Sequence, residues 1–472
     1  MSNIVFQPLK TLQGCYIYDR SVDTIFAVSE SEYQELKQLQ NKEQACASPI
    51  VQQYQQRGLL RENNVSIIRH QATDALPHYC SNCVSSIILQ VTQQCNLRCS
   101  YCSYSGLYHN RTHNSSRMSF ETAKKAMDFF IARVHESNRT HFGFYGGEPL
   151  LEFDLIKRCV AYAKEAVEGR AITFGITTNG TLLTDEIIHF LAKNNIILTV
   201  SIDGSKQEHD SCRVFPDGSG SFDIVMRNIR RVKELYPGYA SQMMISTVIS
   251  PNSDLNRVLD YFSSDEVLSD TNIIMASVVE TGLKNQLNYK DSFFQVRRYE
   301  YLKLLLSMIG KLDRQYVSKL VDVLQRDNEK LYRQLQQHNQ ISPCTHHSGP
   351  CIPGVKRIFV MTDGTLFPCE KISQSIECSK IGSVDTGFDL KNMEKLMNIG
   401  SLTATECKDC WALSHCTICA AELEYTEGQQ EFFRKDKLKA CENSRRSVLE
   451  KLYEMCVLHE FGYRLNEEAI VL

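Results

Sequence analysis

Cys95, Cys99 and Cys102 stand at C-x3-C-x2-C spacing in the stretch CNLRCSYC, just after an apolar run at residues 87–91. Three thiolates can hold three irons of a [4Fe-4S] cluster and leave the fourth free for a small molecule. An open iron points to chemistry rather than storage. The triplet alone also admits a zinc ion, disulfides or chance spacing. Zinc takes four ligands in a structural site, and no fourth Cys or His follows within a few residues. Disulfides need an oxidising compartment, and nothing in the sequence supplies one.

A second cysteine field lies beyond Pro343. It comprises Cys344, Cys351, a G-x4-C from Gly364 to Cys369, Cys378, the run Cys407-x2-Cys410-x5-Cys416-x2-Cys419, and Cys441. Two four-cysteine sites can be filled from these with Cys378 left over, and zinc ribbons compete on equal terms with iron-sulfur clusters. Cys80 and Cys83 form an isolated C-x2-C, which reads as reduced, incidental thiols before it reads as half of a metal site.

Three further stretches could surround a reactive centre: Gly146-Gly147-Glu148-Pro149, Thr177-Thr178-Asn179-Gly180 and Ser201-Ile202-Asp203-Gly204. Each follows a β-prone apolar run. Singly each is an ordinary turn, but three in succession behind a cysteine triplet are hard to explain as turns. Glycines at Gly146 and Gly147 allow a backbone to approach a ligand closely. Glu148 can accept from an ammonium group or pin the loop. Arg213 can pair bidentately with a carboxylate, or make a surface salt bridge.

The elements that must position these residues alternate. Strands are expected at 87–91, 141–145, 172–176, 196–200, 243–249 and 273–279, with helices near 119–134, 154–167, 185–193, 222–235 and 255–262. Strand-helix alternation implies a parallel sheet with right-handed crossovers, with its active site at the C-terminal strand ends. All three stretches fall there. Residues 1–70 read as a small domain of short strands followed by helices, 71–86 as a linker, and 87–283 as the alternating α/β domain. Residues 284–342 read as a helical bridge whose apolar stripe, Phe294, Tyr299, Leu302, Leu305 and Ile309, is packing. The cysteine field occupies 343–445, and 446–472 a terminal helix or tail.

The chain has 472 residues, a net charge of −3 and 19 cysteines. No basic block argues for nucleic acid, no run of 18 apolar residues could cross a membrane, and the N-terminus lacks a secretory signal. A cytoplasmic protein is expected, where so many cysteines mean metal or redox chemistry.

The C-x3-C-x2-C motif with Tyr101 before its last cysteine resembles the radical S-adenosylmethionine (SAM) family. The resemblance implies a partial (βα)6 barrel in which Cys95, Cys99 and Cys102 hold the cluster. There the open iron binds the amine and carboxylate of SAM and one electron cleaves it to methionine and a 5′-deoxyadenosyl radical. It also implies that Tyr101, Gly146, Gly147, Glu148, Asn179, Ser201 and Arg213 bind this cofactor, Asn179 and Ser201 through its ribose or carboxylate. The second field resembles the SPASM extension of enzymes that modify peptides, with two auxiliary [4Fe-4S] clusters. Cys344, Cys351, Cys369 and Cys419 would ligate the first, and Cys407, Cys410, Cys416 and Cys441 the second. The chain departs from that pattern in having two residues, not three, between Cys416 and Cys419. If Cys344 or Cys419 is not a ligand, the first auxiliary cluster has an open iron.

Residues 1–70 resemble in pattern a winged-helix-like leader-recognition domain that adds an extended peptide to a strand edge. Together these imply a peptide maturase acting on a leader-bearing, cysteine-containing precursor and fed electrons by a flavodoxin or ferredoxin. The expected product is a cysteine thioether. Carbon-carbon crosslinking, formylglycine formation and a peptide-binding scaffold without chemistry are the alternatives.

Overall fold

The computed structural model describes residues 3–40, 45–109, 112–167, 169–251, 253–268, 271–285, 287–425 and 431–463; the tail expected beyond 463 lies outside them. At the N-terminal end, β1 (Phe6–Lys10), β2 (Cys15–Asp19) and β3 (Thr24–Val28) form an antiparallel sheet in that order. The sequence reading lacked β1, because Pro8 interrupts it; Pro is tolerated there since β1 is an edge strand. Helices Glu30–Leu39 and Pro49–Gln56 follow, the first opened by a Ser29–Glu32 capping box. Ile17, Leu36, Val51 and Tyr54 close this small core.

The other sheet face is not solvated. Leu9, Tyr16 and Tyr18 pack against Leu331, Leu335, Val448 and Leu452, and Arg20, 1% exposed, donates from Nη1 to the carbonyls of Lys408 (2.7 Å) and Cys410 (3.1 Å). The N-terminal module is therefore seated directly on the second cysteine field. β4 (Ile67–Ile68) adds a short parallel pairing with a strand of that field.

Residues 71–86, expected as a linker, contain the helix Leu76–Asn82, whose Leu76 and Cys80 enter the main core. Seven residues are too few for a helical period to show, and Pro77 sits in the first turn, where it costs no hydrogen bond.

Six strands then run parallel as expected: β5 (Ser86–Thr92), β6 (Thr140–Gly146), β7 (Ile172–Thr178), β8 (Ile196–Ser201), β9 (Met244–Ile249) and β10 (Asn272–Ser277). The helices between them begin where capping residues stand. Ser119, Thr184 and Asp254 accept from the backbone N–H groups of Thr122, Ile187 and Arg257. Their apolar faces, such as Ala123, Met127 and Phe130, cover the sheet.

The sheet does not end at β5. β11 (Cys344–Thr345) is the partner of β4, and beyond it β12 (Ile358–Val360) pairs in parallel with β5. β13 (Thr365–Phe367), β14 (Gly382–Ser383) and β15 (Gly387–Phe388) extend the sheet antiparallel to ten strands, β10-β9-β8-β7-β6-β5-β12-β13-β14-β15. Gly364, with φ +88°, turns β12 into β13. The hairpin carrying the G-x4-C stretch is thus part of the barrel's own sheet, and residue 343 marks no break in the fold.

Helices Asp291–Met308 and Asp322–Gln336 occupy the expected bridge. Its stripe is corrected in part: Leu305 and Ile309 pack against a core as expected, but the first helix buries Phe293, Glu300 and Leu304, while Phe294, Tyr299 and Leu302 are 42%, 61% and 51% exposed. Apolar residues surround this helix, so periodicity could not choose the buried face. The last helix, Arg434–Glu460, starts before the expected boundary at 446 and so carries Cys441. Among the described residues no helix is long and apolar enough to cross a membrane.

Arg20→Ala should lower the thermal unfolding midpoint and speed hydrogen exchange in β1–β3, because the part-buried Cys410 carbonyl loses this donor and the Lys408 carbonyl is left with Asn63, at about 1–3 kcal/mol in all; an unchanged midpoint would show that the seat is held by apolar packing alone.

Candidate functional site

The cysteine loop leaves β5 at Thr92 and is fastened to the end of β6 by backbone. Gly147 N–H donates to Thr92 O and Glu148 N–H to Gln94 O, both at 2.9 Å. A Cβ on Gly146 would lie 2.1 Å from Thr92 O, and one on Gly147 2.1 Å from Gln94 O. The close approach anticipated for a ligand is, in this structure, an approach to the cysteine loop itself.

Glu148 completes the fastening. It is fully buried and accepts from Leu150 N–H (3.0 Å) and the Thr178 hydroxyl (2.7 Å) on Oε1, and from Asn179 N–H (2.7 Å) on Oε2. Burial pushes its carboxyl up to about 6 against these bonds. Of the two roles open to Glu148, pinning the loop is the one its contacts fill. Asn179, carried by the end of β7, reaches the loop in turn: Nδ2 donates to Asn96 Oδ1 at 2.8 Å and lies 3.8 Å from Cys95 Sγ.

On the other side, Tyr101 and Arg213 converge on Asp203, at the end of β8. The Tyr101 hydroxyl and Arg213 Nε (2.8 Å) both donate to Asp203 Oδ2, and Val248 N–H donates to Oδ1 at 3.0 Å. Arg213 lies over the Tyr101 ring and places Nη1 4.0 Å from Cys99 Sγ. It is buried, so the surface salt-bridge reading fails. Burial pulls the guanidinium down, but Asp203 more than offsets it and holds Arg213 well above its ordinary range. His209 supports the arrangement through Ser221, whose hydroxyl donates to Arg213 O at 2.8 Å. Asp203, Asn96 and His209 are functional neighbours that the sequence reading missed. Asp203 alone had a signal, its place in the Ser201–Gly204 stretch. Ser201 is buried at the end of β8 opposite Ser246.

Burial pushes the thiols of Cys95 and Cys99 up to about 11 and about 12, and each of the three thiols, Cys102 included, adds to the repulsion. Three such thiols can all ionise only beside a cation, and metal binding would expel their protons. Leu97 N–H and Tyr104 N–H point at Cys95 Sγ and Cys102 Sγ, each at 3.4 Å, as sulfur ligands of a cluster require. The donor set fits an iron-sulfur cluster.

The second field separates into two groups. Cys351, Cys369 and Cys419 act on one another electrostatically, and Glu422 Oε1 lies 3.9 Å from Cys419 Sγ. Cys407, Cys410, Cys416 and Cys441 form the other. Cys344 stands in β11, paired with Ile67. His346 Nε2 accepts from Gly400 N–H at 2.8 Å, and His347 is buried beside it. Cys378 is pushed up to about 11 by burial near Lys395 and Glu431, apart from both groups. Cys80 points into the core and Cys83 outward toward Glu136, so the C-x2-C is no chelating pair.

Comparison with known proteins agrees with this geometry. The radical SAM superfamily matches residues 89–260. The cysteine-type anaerobic sulfatase-maturating enzyme of Clostridium novyi (strain NT) is 28% identical over 190 residues, covering 39% of this chain and 49% of that protein. The radical SAM cyclopropyl synthase TigE of Paramaledivibacter caminithermalis is 29% identical over 221 residues, 44% of this chain and 43% of that one. The chain spans about half the length of these curated relatives. The solved structure of native anSMEcpe with bound AdoMet superimposes with a TM-score of 0.56 over 80% of this chain and 99% of that one, at 21% identity; the shared fold is what that likeness shows.

Two outcomes follow from the buried charges. Glu148 has a folded-state value above its ordinary 4.5, so stability present below pH 4.5 is lost as pH rises through about 6, by about 2 kcal/mol. Denaturant titrations of the iron-free protein should show this slope, and Glu148→Gln should abolish it. Asp203→Ala strands a buried guanidinium and should cost about 3–5 kcal/mol; a loss below about 1 kcal/mol would mean that the pair is not buried in solution.

Proposed function

We propose, from the radical SAM domain that this chain carries, that it is a peptide maturase joining a peptide carbon to a cysteine sulfur. The observation that carries this reading is one three-cysteine loop pinned at the ends of parallel strands, combined with further cysteines that fall into two groups beyond the strands added to that sheet.

Cys95, Cys99 and Cys102 would hold a [4Fe-4S] cluster, with Gly146, Gly147, Asn179, Ser201 and Tyr101 nearest the SAM side. Bound there, cluster and SAM would supply the one-electron chemistry that removes a hydrogen atom from the peptide. Glu148 and Arg213 act on this site by holding its loop, since their polar atoms are engaged with Asn179 and Asp203. Forming a carbon-sulfur bond from a carbon radical and a thiol releases one proton and one electron. Cys351, Cys369 and Cys419, with Cys344 as the proposed fourth, and Cys407, Cys410, Cys416 and Cys441 would hold the groups that receive that electron.

Two clefts suit a peptide. One of about 250 Å³ runs between β3 (Thr24, Ile25, Ala27) and the helical residues Leu335, Met455 and His459. An extended leader could add to β3 there by backbone hydrogen bonds. Another, of about 540 Å³, is lined by Thr281, Leu283, Thr417, Ile418 and Glu422. It lies between the end of the barrel and the cysteine field, where a core peptide would meet both. The outside electron donor would be a flavodoxin or ferredoxin, and the setting cytoplasmic.

Similarity to sulfatase-maturating enzymes favours a second reading, oxidation of a cysteine or serine to formylglycine. Anaerobically reconstituted protein, given SAM, dithionite and a cysteine-bearing peptide encoded beside its gene, should form 5′-deoxyadenosine and remove two hydrogens per crosslink, read by mass spectrometry. A converted residue without a crosslink would select the second reading. Absence of 5′-deoxyadenosine with and without peptide would leave a scaffold that binds and does no chemistry.

A further inference from the structure

Lys437 is 0% exposed in the first turns of the helix Arg434–Glu460. Its Nζ donates to Thr403 Oγ1 at 2.7 Å and lies 3.4 Å from Cys407 Sγ. The partners described for its Nζ are this hydroxyl and this sulfur, and neither is a carboxylate. Lysines are almost never fully buried unless paired. What faces this one is a thiol group: Cys407 also lies 3.3 Å from the Thr403 hydroxyl, and Cys416 receives the Ser444 hydroxyl at 3.3 Å.

The first auxiliary group has mixed surroundings, with Lys356 and Arg357 near Cys351 but carboxylates beside its other thiols. Cys419 faces the Glu422 carboxylate at 3.9 Å, and Arg357, which faces Cys351 and Cys369, is already paired with Glu370 at 2.6 Å. A fixed cation and sulfur-directed donors stabilise the reduced, more negative form of a cluster, while an anion disfavours it.

We propose that Lys437 is the counter-charge of the second auxiliary cluster and holds its midpoint potential above that of the first. The Cys407 group would then hold the stronger electron acceptor, so the electron released with a proton on carbon-sulfur bond formation would be expected to end there until an outside carrier takes it up. This deepens the maturase reading and rests on its assignment of clusters to both groups.

The test is a potentiometric EPR titration of the full chain with Cys95, Cys99 and Cys102 replaced by Ala, so that only the auxiliary sites load. Lys437→Gln should move the more positive midpoint downward by at least a tenfold change in equilibrium constant, about 59 mV for one electron. The other midpoint should stay in place, and Lys437→Arg should hold both. Thr403→Val, which removes the second donor to Cys407, should shift the same midpoint in the same direction by less. Intact clusters with unmoved midpoints in Lys437→Gln overturn the inference alone. If that variant loses its cluster, an unmoved midpoint in Thr403→Val overturns it instead. Zinc in the Cys407 group would overturn the functional reading and this inference together.

Discussion

The structure depends on a backbone contact that admits no side chain. Where β6 ends, Gly146 and Gly147 lie against Thr92, Gln94 and Cys95 so closely that a methyl group at either would meet a carbonyl at 2.1 Å. The cysteine loop is therefore fixed relative to the sheet first by close backbone packing and backbone hydrogen bonds, to which side chains then add. Glu148 carries the constraint onward through its bonds to Leu150, Thr178 and Asn179, which ties the ends of β6 and β7 to the loop. Asp203 does the same from β8 through Tyr101 and Arg213. A three-thiol site with one position open has to be held by its surroundings, because no fourth ligand holds it.

The same sheet carries the hairpin that leads into the second cysteine field. β12 adds directly to β5, so the strand that launches the cysteine loop also registers the hairpin leading to Cys369. The N-terminal module sits on the far side of that field, with Arg20 bonded to the carbonyls of Lys408 and Cys410, one at and one beside a cysteine of the second group. Barrel, cysteine groups and N-terminal sheet thus form one mechanically continuous chain of contacts. A peptide held at β3 and worked on at the barrel mouth would pass the auxiliary groups on the way.

Much of this was legible in the sequence because it is local. The six barrel strands are short apolar runs between helices with clean caps at Ser119, Thr184 and Asp254, and the strand-end motifs follow from that alternation. What the sequence hid is non-local or ambiguous. Pro8 concealed β1, and seven residues concealed the helix Leu76–Asn82. The pairing of β12 with β5 joins residues far apart in the chain and has no local signature. The helix Asp291–Met308 is apolar on several faces, so its exposed Phe294 and Tyr299 passed for core. At the site, residue types announced the cysteines, whereas the partnership of Arg213 with Asp203 and of Glu148 with the loop exists only once the strands are side by side. The glycines were read for the right property and the wrong partner.

The central claim is that Cys95, Cys99 and Cys102 hold a cluster with an iron that no protein ligand covers. It is tested most directly by the EPR spectrum of the anaerobic, dithionite-reduced protein in which the Cys351 and Cys407 groups have been removed, recorded before and after adding SAM. The account predicts a cluster signal whose g-values shift when SAM binds the open iron. A signal indifferent to SAM, or a triplet loaded with zinc and silent, would contradict it.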